Sequence, residues 1–234
     1  MARHAGSRDE RAMNDRPAIR HVVVLGHPAL GSFNHQVARV YCDTVEECHQ
    51  EATLRDLYAV GFNPVLHADE RPGSGSAARA PDVVAELAAL QDVRALAFVY
   101  PIWFGSPPAI IKGYVDRVLS AGFGPCEVKA GKAHPLLEGA RLMTFSSSAT
   151  TMPWLSERGQ WISLRQAFDN YLTDVFAMRE ARRRHFDAIV DGLDERFVLQ
   201  KLEDVRQDTI RLCATLDQES AQRALHPAAW PTDR

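Results

Sequence analysis

Three short segments of the chain concentrate the residue types that could do chemistry. The longest is Tyr100-Pro101-Ile102-Trp103-Phe104-Gly105-Ser106-Pro107-Pro108-Ala109-Ile110-Ile111-Lys112-Gly113-Tyr114-Val115-Asp116-Arg117, where an apolar run gives way to rings, a glycine and two prolines before a helical pattern. Aromatic rings flank planar groups and backbone N–H groups meet their polar edges. Pro101, Ile102, Trp103, Phe104 and Gly105 therefore suit one side of a flat cofactor, although such rings are also good core residues. The segment Gly26 to Asn34 places Ser32, Phe33 and Asn34 where a helical pattern starts, and there free N–H groups and the helix dipole favour a phosphate. Ser32 would serve equally as an ordinary N-cap, and His27 either hydrogen-bonds a phosphate or ties down its own turn. The third segment, Ser146-Ser147-Ser148-Ala149-Thr150-Thr151, offers hydroxyls and backbone donors for the opposite ring edge. An ordinary Ser/Thr loop would read the same way.

The elements that must position these segments follow from periodicity. His21 to Gly26 is a β-branched run that predicts a strand, and Val37, Val40, Tyr41, Val45 and Cys48 recur at helical spacing from Ser32 onward. Ala52 to Tyr58 predicts a second strand, closed by the turn Gly61-Phe62-Asn63-Pro64. Residues 71 to 81 read as a Gly/Ser/Ala/Pro loop, and Asp82 is a candidate cap for a helix carrying Val83, Val84, Leu87 and Leu90. Ala95 to Tyr100 is continuously apolar, as a central parallel strand covered on both faces should be. A helix from Pro108 to Ala121, a strand from Arg141 to Ser146, a helix from Ser163 to Val175, a short strand from His185 to Val190 and a closing helix over 193–216 complete the pattern. Five strand–helix alternations predict an α/β fold: a doubly wound, five-stranded parallel sheet with helices on both faces. In such a sheet the three segments converge at the carboxyl ends of the strands.

Composition sets the outer limits. A chain of 234 residues, 46% hydrophobic and 24% charged, can bury a full core and suits one domain, expected over 20–218 between a disordered tail at 1–19 and a C-terminal tail at 219–234. The net charge of -3 gives no global field for nucleic acid. Cys42, Cys48, Cys126 and Cys213 form no C-x-x-C pair and no metal-ligand spacing, which fits a reducing cytoplasm, structural thiols and no metal. No run approaches the roughly 18 apolar residues of a membrane span, and the first twenty residues hold no apolar leader, so a cytoplasmic chain without membrane insertion is expected. Lys112, Asp116 and Arg117 read as a solvated or salt-bridged helix face, with substrate contact as a lesser reading. Arg179, Arg182, Arg183 and Arg184 read as a hydrated charge run, with capture of an NADPH 2′-phosphate as a lesser reading.

Four signatures in fixed order resemble one family. They are Gly26-His27-Pro28 with Ser32-Phe33-Asn34, then Asp56 to Leu66, then the Tyr100 to Arg117 block, then Gly122-Phe123-Gly124. The chain is similar to the flavodoxin-like NAD(P)H quinone oxidoreductases, which include quinone reductases and flavoprotein ancillary subunits of potassium efflux systems. The resemblance covers about residues 20 to 125 and fades beyond. It implies a flavodoxin-like fold, non-covalent FAD or FMN, NAD(P)H as co-substrate, a small planar acceptor and a homodimer with the flavin near its interface. His27, Ser32, Phe33 and Asn34 would then hold the phosphates and ribityl chain, with Pro101, Ile102, Trp103, Phe104 and Gly105 along the isoalloxazine. Ser146, Ser147, Ser148 and Ala149 correspond to a segment that is typically Thr-Thr-Gly-Gly in the family, and Trp154 and Gln160 stand where a Tyr and a His often assist charge redistribution. Phe123 joins Trp154 as an expected wall of the substrate pocket. The activity implied is NAD(P)H dehydrogenase (quinone) chemistry; the alternatives are a redox-sensing regulatory subunit of a transporter and an azo- or nitro-compound reductase.

Overall fold

The computed structural model describes residues 18–71 and 79–225. Strands β1 (Arg20–Leu25), β2 (Glu51–Asp56), β3 (Val93–Pro101), β4 (Arg141–Ser147) and β5 (Arg179–Phe186) form one sheet. Their order is β2-β1-β3-β4-β5 and every neighbouring pair is parallel. The order reverses between β1 and β3, which places the topological switch point at the ends of those two strands.

A parallel sheet must be covered on both faces, and the strand composition follows from that. Val23, Leu25, Ala97, Val99 and Phe145 face one buried layer, built with α1 (Phe33–Glu47) and the long closing helix α8 (Glu195–Leu225). Val22, Val24, Leu96, Phe98 and Tyr100 face the other. There they meet α2 (Pro81–Ala89) and α3 (Ala109–Tyr114), which runs on as a π-helical turn over Val115–Leu119. The short α4 (Pro125–Lys129) and α5 (Met152–Glu157) lead to α6 (Gln160–Leu164), a second π-helical turn (Arg165–Asn170) and α7 (Tyr171–Val175).

The largest difference from the expected elements is β5. The sequence pattern predicts it over His185–Val190, whereas it runs from Arg179 to Phe186, so the charge run is itself an edge strand. An edge strand tolerates arginines because half its surroundings are solvent or partner carboxylates. Arg183 Nε lies 2.8 Å from Asp169, Arg182 Nε lies 3.0 Å from Asp208, and Arg184 pairs with both Asp208 and Asp204. Each of these three arginines is thus paired with at least one carboxylate instead of being simply hydrated.

Three smaller differences have equally local causes. Ala80, not Asp82, is the N-cap of α2, because the helix begins at Pro81 and Asp82 falls within its first turn, where its carboxylate meets Arg117 at 2.6 Å. Arg117 is buried and also meets Glu70 at 2.5 Å, while Lys112 and Asp116 form an exposed i,i+4 pair at 2.5 Å. The closing helix continues past residue 218 to Leu225. Most of the expected tail at 1–19, most of the loop at 71–81 and the residues after 225 lie outside the described residues.

Candidate active site

At the switch point the ends of β1, β3 and β4 and the segment after β5 enclose an open cleft of about 710 Å³. β1 runs out into Gly26, whose amide donates to the Val99 carbonyl at 2.9 Å. A Cβ here would sit 2.5 Å from Ile111, so glycine is what lets α3 approach β1 this closely. The following turn presents His27, whose Nδ1 accepts from the Ala29 amide at 3.1 Å. That bond leaves the ring proton on Nε2, free to donate. Partial burial holds the imidazole below its ordinary pKa and hence neutral, with the Ala29 contact opposing the shift.

Ser32 caps α1, accepting from the His35 amide at 3.4 Å. His35 in turn reaches Ser32 Oγ at 2.8 Å and Asp56 at 3.1 Å, while Asp56 also accepts from the amides of Tyr58 and Ala59. The Asp56-Leu57-Tyr58 signature thus ties β2 to the start of α1. Asn34 is buried and exchanges hydrogen bonds with Ser147 at 3.0 and 3.2 Å, joining the first and third segments directly. Phe33 packs edge-on against Phe186 and still lines the cleft.

The second segment folds into a two-residue turn. Trp103 and Ser106 exchange backbone hydrogen bonds at 3.0 and 3.2 Å, and the intervening Phe104 and Gly105 both take positive φ, 50° and 82°. Two consecutive positive φ values define the mirror-image turn that usually carries Asn-Gly. The result is a fully exposed Phe104 at the tip and a half-exposed Trp103 whose ring lies 5.7 Å from His27. Pro101, Ile102, Trp103 and Phe104 line the cleft, and Gly105 does not. Gly105 instead joins Phe104, Lys112, Arg158, Gln160 and Phe168 around a second cleft of about 780 Å³, with Phe104 standing between the two.

In the third segment Ser147, Ser148, Ala149 and Thr150 line the first cleft, and neither Ser148 nor Ala149 takes a positive φ. Replacing a Gly-Gly pair here therefore costs no backbone strain. The Ala149 and Thr150 amides find no protein acceptor among the described residues, and both residues line the cleft. Ser146 departs from expectation: it is buried and turns to His185 Nδ1 at 3.0 Å instead of the cleft. Phe123 departs further, packed in the core against His134 and Phe176 at 5.0 and 6.0 Å, because Gly122 turns the chain inward after α3. Trp154 is half-exposed under the Arg158 guanidinium and lines neither cleft. Sequence reading missed His185 and the wall made by Ile189, Val190, Asp191, Gly192 and Leu193. Both were lost when β5 was set too far along the chain. Among the described residues no group of three or more His, Cys, Asp or Glu could hold a metal ion.

A parallel sheet of this order, with a capped helix start, a ring-tipped turn and free amides around one crevice, defines a doubly wound domain of the flavodoxin type. The family model Flavodoxin_2, flavodoxin-like fold, matches residues 20–207, and the chain belongs to that family. Among curated relatives, an uncharacterized NAD(P)H oxidoreductase of Haemophilus influenzae is 29% identical over 155 residues, covering 66% of this chain and 76% of that protein. NAD(P)H dehydrogenase [quinone] 1 of Rattus norvegicus is 29% identical over 121 residues, so the match spans 44% of each chain, less than half the length of that relative. Among solved structures, an NAD(P)H:quinone oxidoreductase from Methanothermobacter marburgensis superposes with a TM-score of 0.71 at 21% identity, covering 84% of this chain and 96% of that one.

Proposed function

We propose that this chain is a flavin-dependent NAD(P)H oxidoreductase that passes hydride from NAD(P)H to a quinone or similar planar electrophile. The observation that carries the reading is the convergence of three recognition elements on one cleft: the Ser32-capped start of α1, the Trp103–Phe104 turn, and the unpaired Ala149 and Thr150 amides. A capped helix start holds phosphate, aromatic faces hold a ring, and backbone donors hold its polar edge. A bound FMN or FAD would supply the hydride chemistry, which the protein's own side chains cannot. The protein's part is positional. His27 Nε2 and the first turn of α1 fix an anionic group, Trp103 and Phe104 exclude water from one face, and the second cleft beyond Phe104 receives the planar reactant. Gln160 lines that second cleft and can donate a hydrogen bond without exchanging a proton.

The chain works as a homodimer in a reducing cytoplasm. Phe104, which lines the second cleft, and Ile162 and Tyr171 are exposed apolar side chains that a second copy could cover, and the described structure leaves all four cysteines as free thiols. No helix among the described residues is long and apolar enough to cross a membrane. The deciding experiment is a visible spectrum of the purified protein, mass identification of any released flavin, and turnover with NADPH or NADH and a quinone. A yellow protein with repeated turnover is expected; a sedimentation run on the same sample should give twice the chain mass. A colourless chain that takes up neither FMN nor FAD overturns the reading, and flavin binding without turnover transfers it to the regulatory alternative.

A further inference from the structure

We propose that His185 is the positioning residue of the 146–150 segment: it donates its Nε2 proton to Ser148, Ser148 donates to the Thr150 carbonyl, and the segment is thereby held with its free amides toward the cleft. The bond pattern assigns the protons. Ser146 Oγ lies 3.0 Å from His185 Nδ1, Ser148 Oγ lies 3.0 Å from Nε2, and Ser148 Oγ lies 2.8 Å from the Thr150 carbonyl. A hydroxyl has one proton and a neutral imidazole has one N–H. If Nδ1 carried that proton, Ser148 would have to choose between Nε2 and Thr150, and one of the three contacts would be lost. With the proton on Nε2, all three are satisfied in one direction: Ser146 to His185, His185 to Ser148, Ser148 to Thr150.

Other contacts anchor both ends of this relay. The Ser148 amide donates to the Phe186 carbonyl at 2.9 Å, the Ile189 amide donates to the Ser148 carbonyl at 2.8 Å, and the Ala188 amide donates to Thr150 at 3.3 Å. Trp161 covers the imidazole with ring centroids 5.0 Å apart. Burial lowers the His185 pKa to about 4, opposed by the nearby Asp187 charge and the Ser146 backbone, so the ring stays neutral at ordinary pH. Ser148 occupies a position where a glycine would have no hydroxyl to offer, which gives the departure from Gly-Gly a physical purpose.

That the held amides meet a flavin rests on the proposed function; the relay itself does not. Two measurements keep these apart. Long-range ¹H–¹⁵N correlation of the ligand-free protein at pH 7 should show the Nε2–H tautomer for His185, and the Nδ1–H tautomer would overturn the proposal. FMN titration should show His185→Ala and Ser148→Ala each weakening binding about tenfold, the loss of one hydrogen bond, with the double variant no weaker than either. His185→Gln, whose amide can donate from the place of Nε2, should stay within about threefold of the parent. A Gln variant as weak as the Ala variant, or multiplying losses in the double variant, would also overturn it. Should His185→Ala fail to fold, Ser148→Ala and His185→Gln carry the comparison. If the parent protein takes up no flavin, the proposed function fails. The relay is then decided by the tautomer and by Ile189 amide exchange, which Ser148→Ala should speed and His185→Gln should not.

Discussion

Phe104 shows how much one residue can be made to tolerate for the sake of a site. A phenylalanine at φ 50° sits in a region that favours glycine and asparagine, and its ring gains no burial in return, being fully exposed. Left-handed backbone at a residue with a Cβ costs about 1 kcal/mol or more. Asn-Gly is the pair that the turn geometry itself prefers. Phe104→Asn should therefore raise the unfolding free energy by about 1 kcal/mol in urea titrations. The same change removes the ring that separates the two clefts, so kcat/KM for a quinone should fall on the order of tenfold. Lower stability in the Asn variant would count against the strain argument, and unchanged kcat/KM would count against a role for the ring.

At the scale of elements, α3 matters because its start is continuous with the ring-bearing turn and its packing sets where that turn stands. Gly113 is the point of closest approach: a Cβ there would lie 2.4 Å from the Pro64 carbonyl oxygen and 2.5 Å from Pro64 Cα. Both are backbone atoms that cannot swing aside. Alanine is favoured over glycine in a helix by about 1 kcal/mol, but overpacking against fixed backbone costs about 1–3 kcal/mol, so Gly113→Ala should lower stability overall. Thermal melts should show a lower midpoint, and flavin affinity should fall with it as α3 backs away. A higher midpoint would mean that the Pro64 turn yields freely. This element also shows what the sequence made legible. The apolar run of β3, the two prolines before α3 and the helical spacing of α1 each state their structure locally, so His27, Ser32, Phe33 and Asn34 all line the first cleft and the strand–helix alternation through β4 was legible. β5 was not, because its arginines look like a solvent face until Asp169, Asp204 and Asp208 are folded against them. His185 and the wall at 189–193 were lost with it. Phe123 was misplaced for a related reason: an aromatic after a glycine does not say whether the turn faces in or out.

Across the whole molecule, the balance of buried ionisable groups sets the response to acid. His21 is buried, with Tyr41 at 2.8 Å from Nδ1 and the Gln50 carbonyl oxygen accepting from Nε2 at 2.8 Å, and burial lowers its pKa from 6.5 to about 4. His185 is lowered to about 4 as well, again chiefly by burial. For both, the unfolded chain binds more protons than the folded one between pH 6.5 and about 4, so their contribution is complete above 6.5 and is lost as pH falls through that window. Asp169 works the other way. Burial raises its carboxyl to about 6 against the attraction of Arg183, so the folded state holds the extra proton between pH 6 and 3.8 and gains stability on acidification. Two depressed histidines outweigh one raised aspartate by about one histidine, a net loss on the order of 3 kcal/mol on acidification. Urea unfolding should therefore give a free energy lower at pH 4 than at pH 7 by that order. Asp169→Asn removes the opposing group and should steepen the loss relative to its own value at pH 7. Stability that stays flat or rises from pH 7 to pH 4 would mean that one of the two histidines is already charged in the folded protein, and the residual imidazole titration would show which.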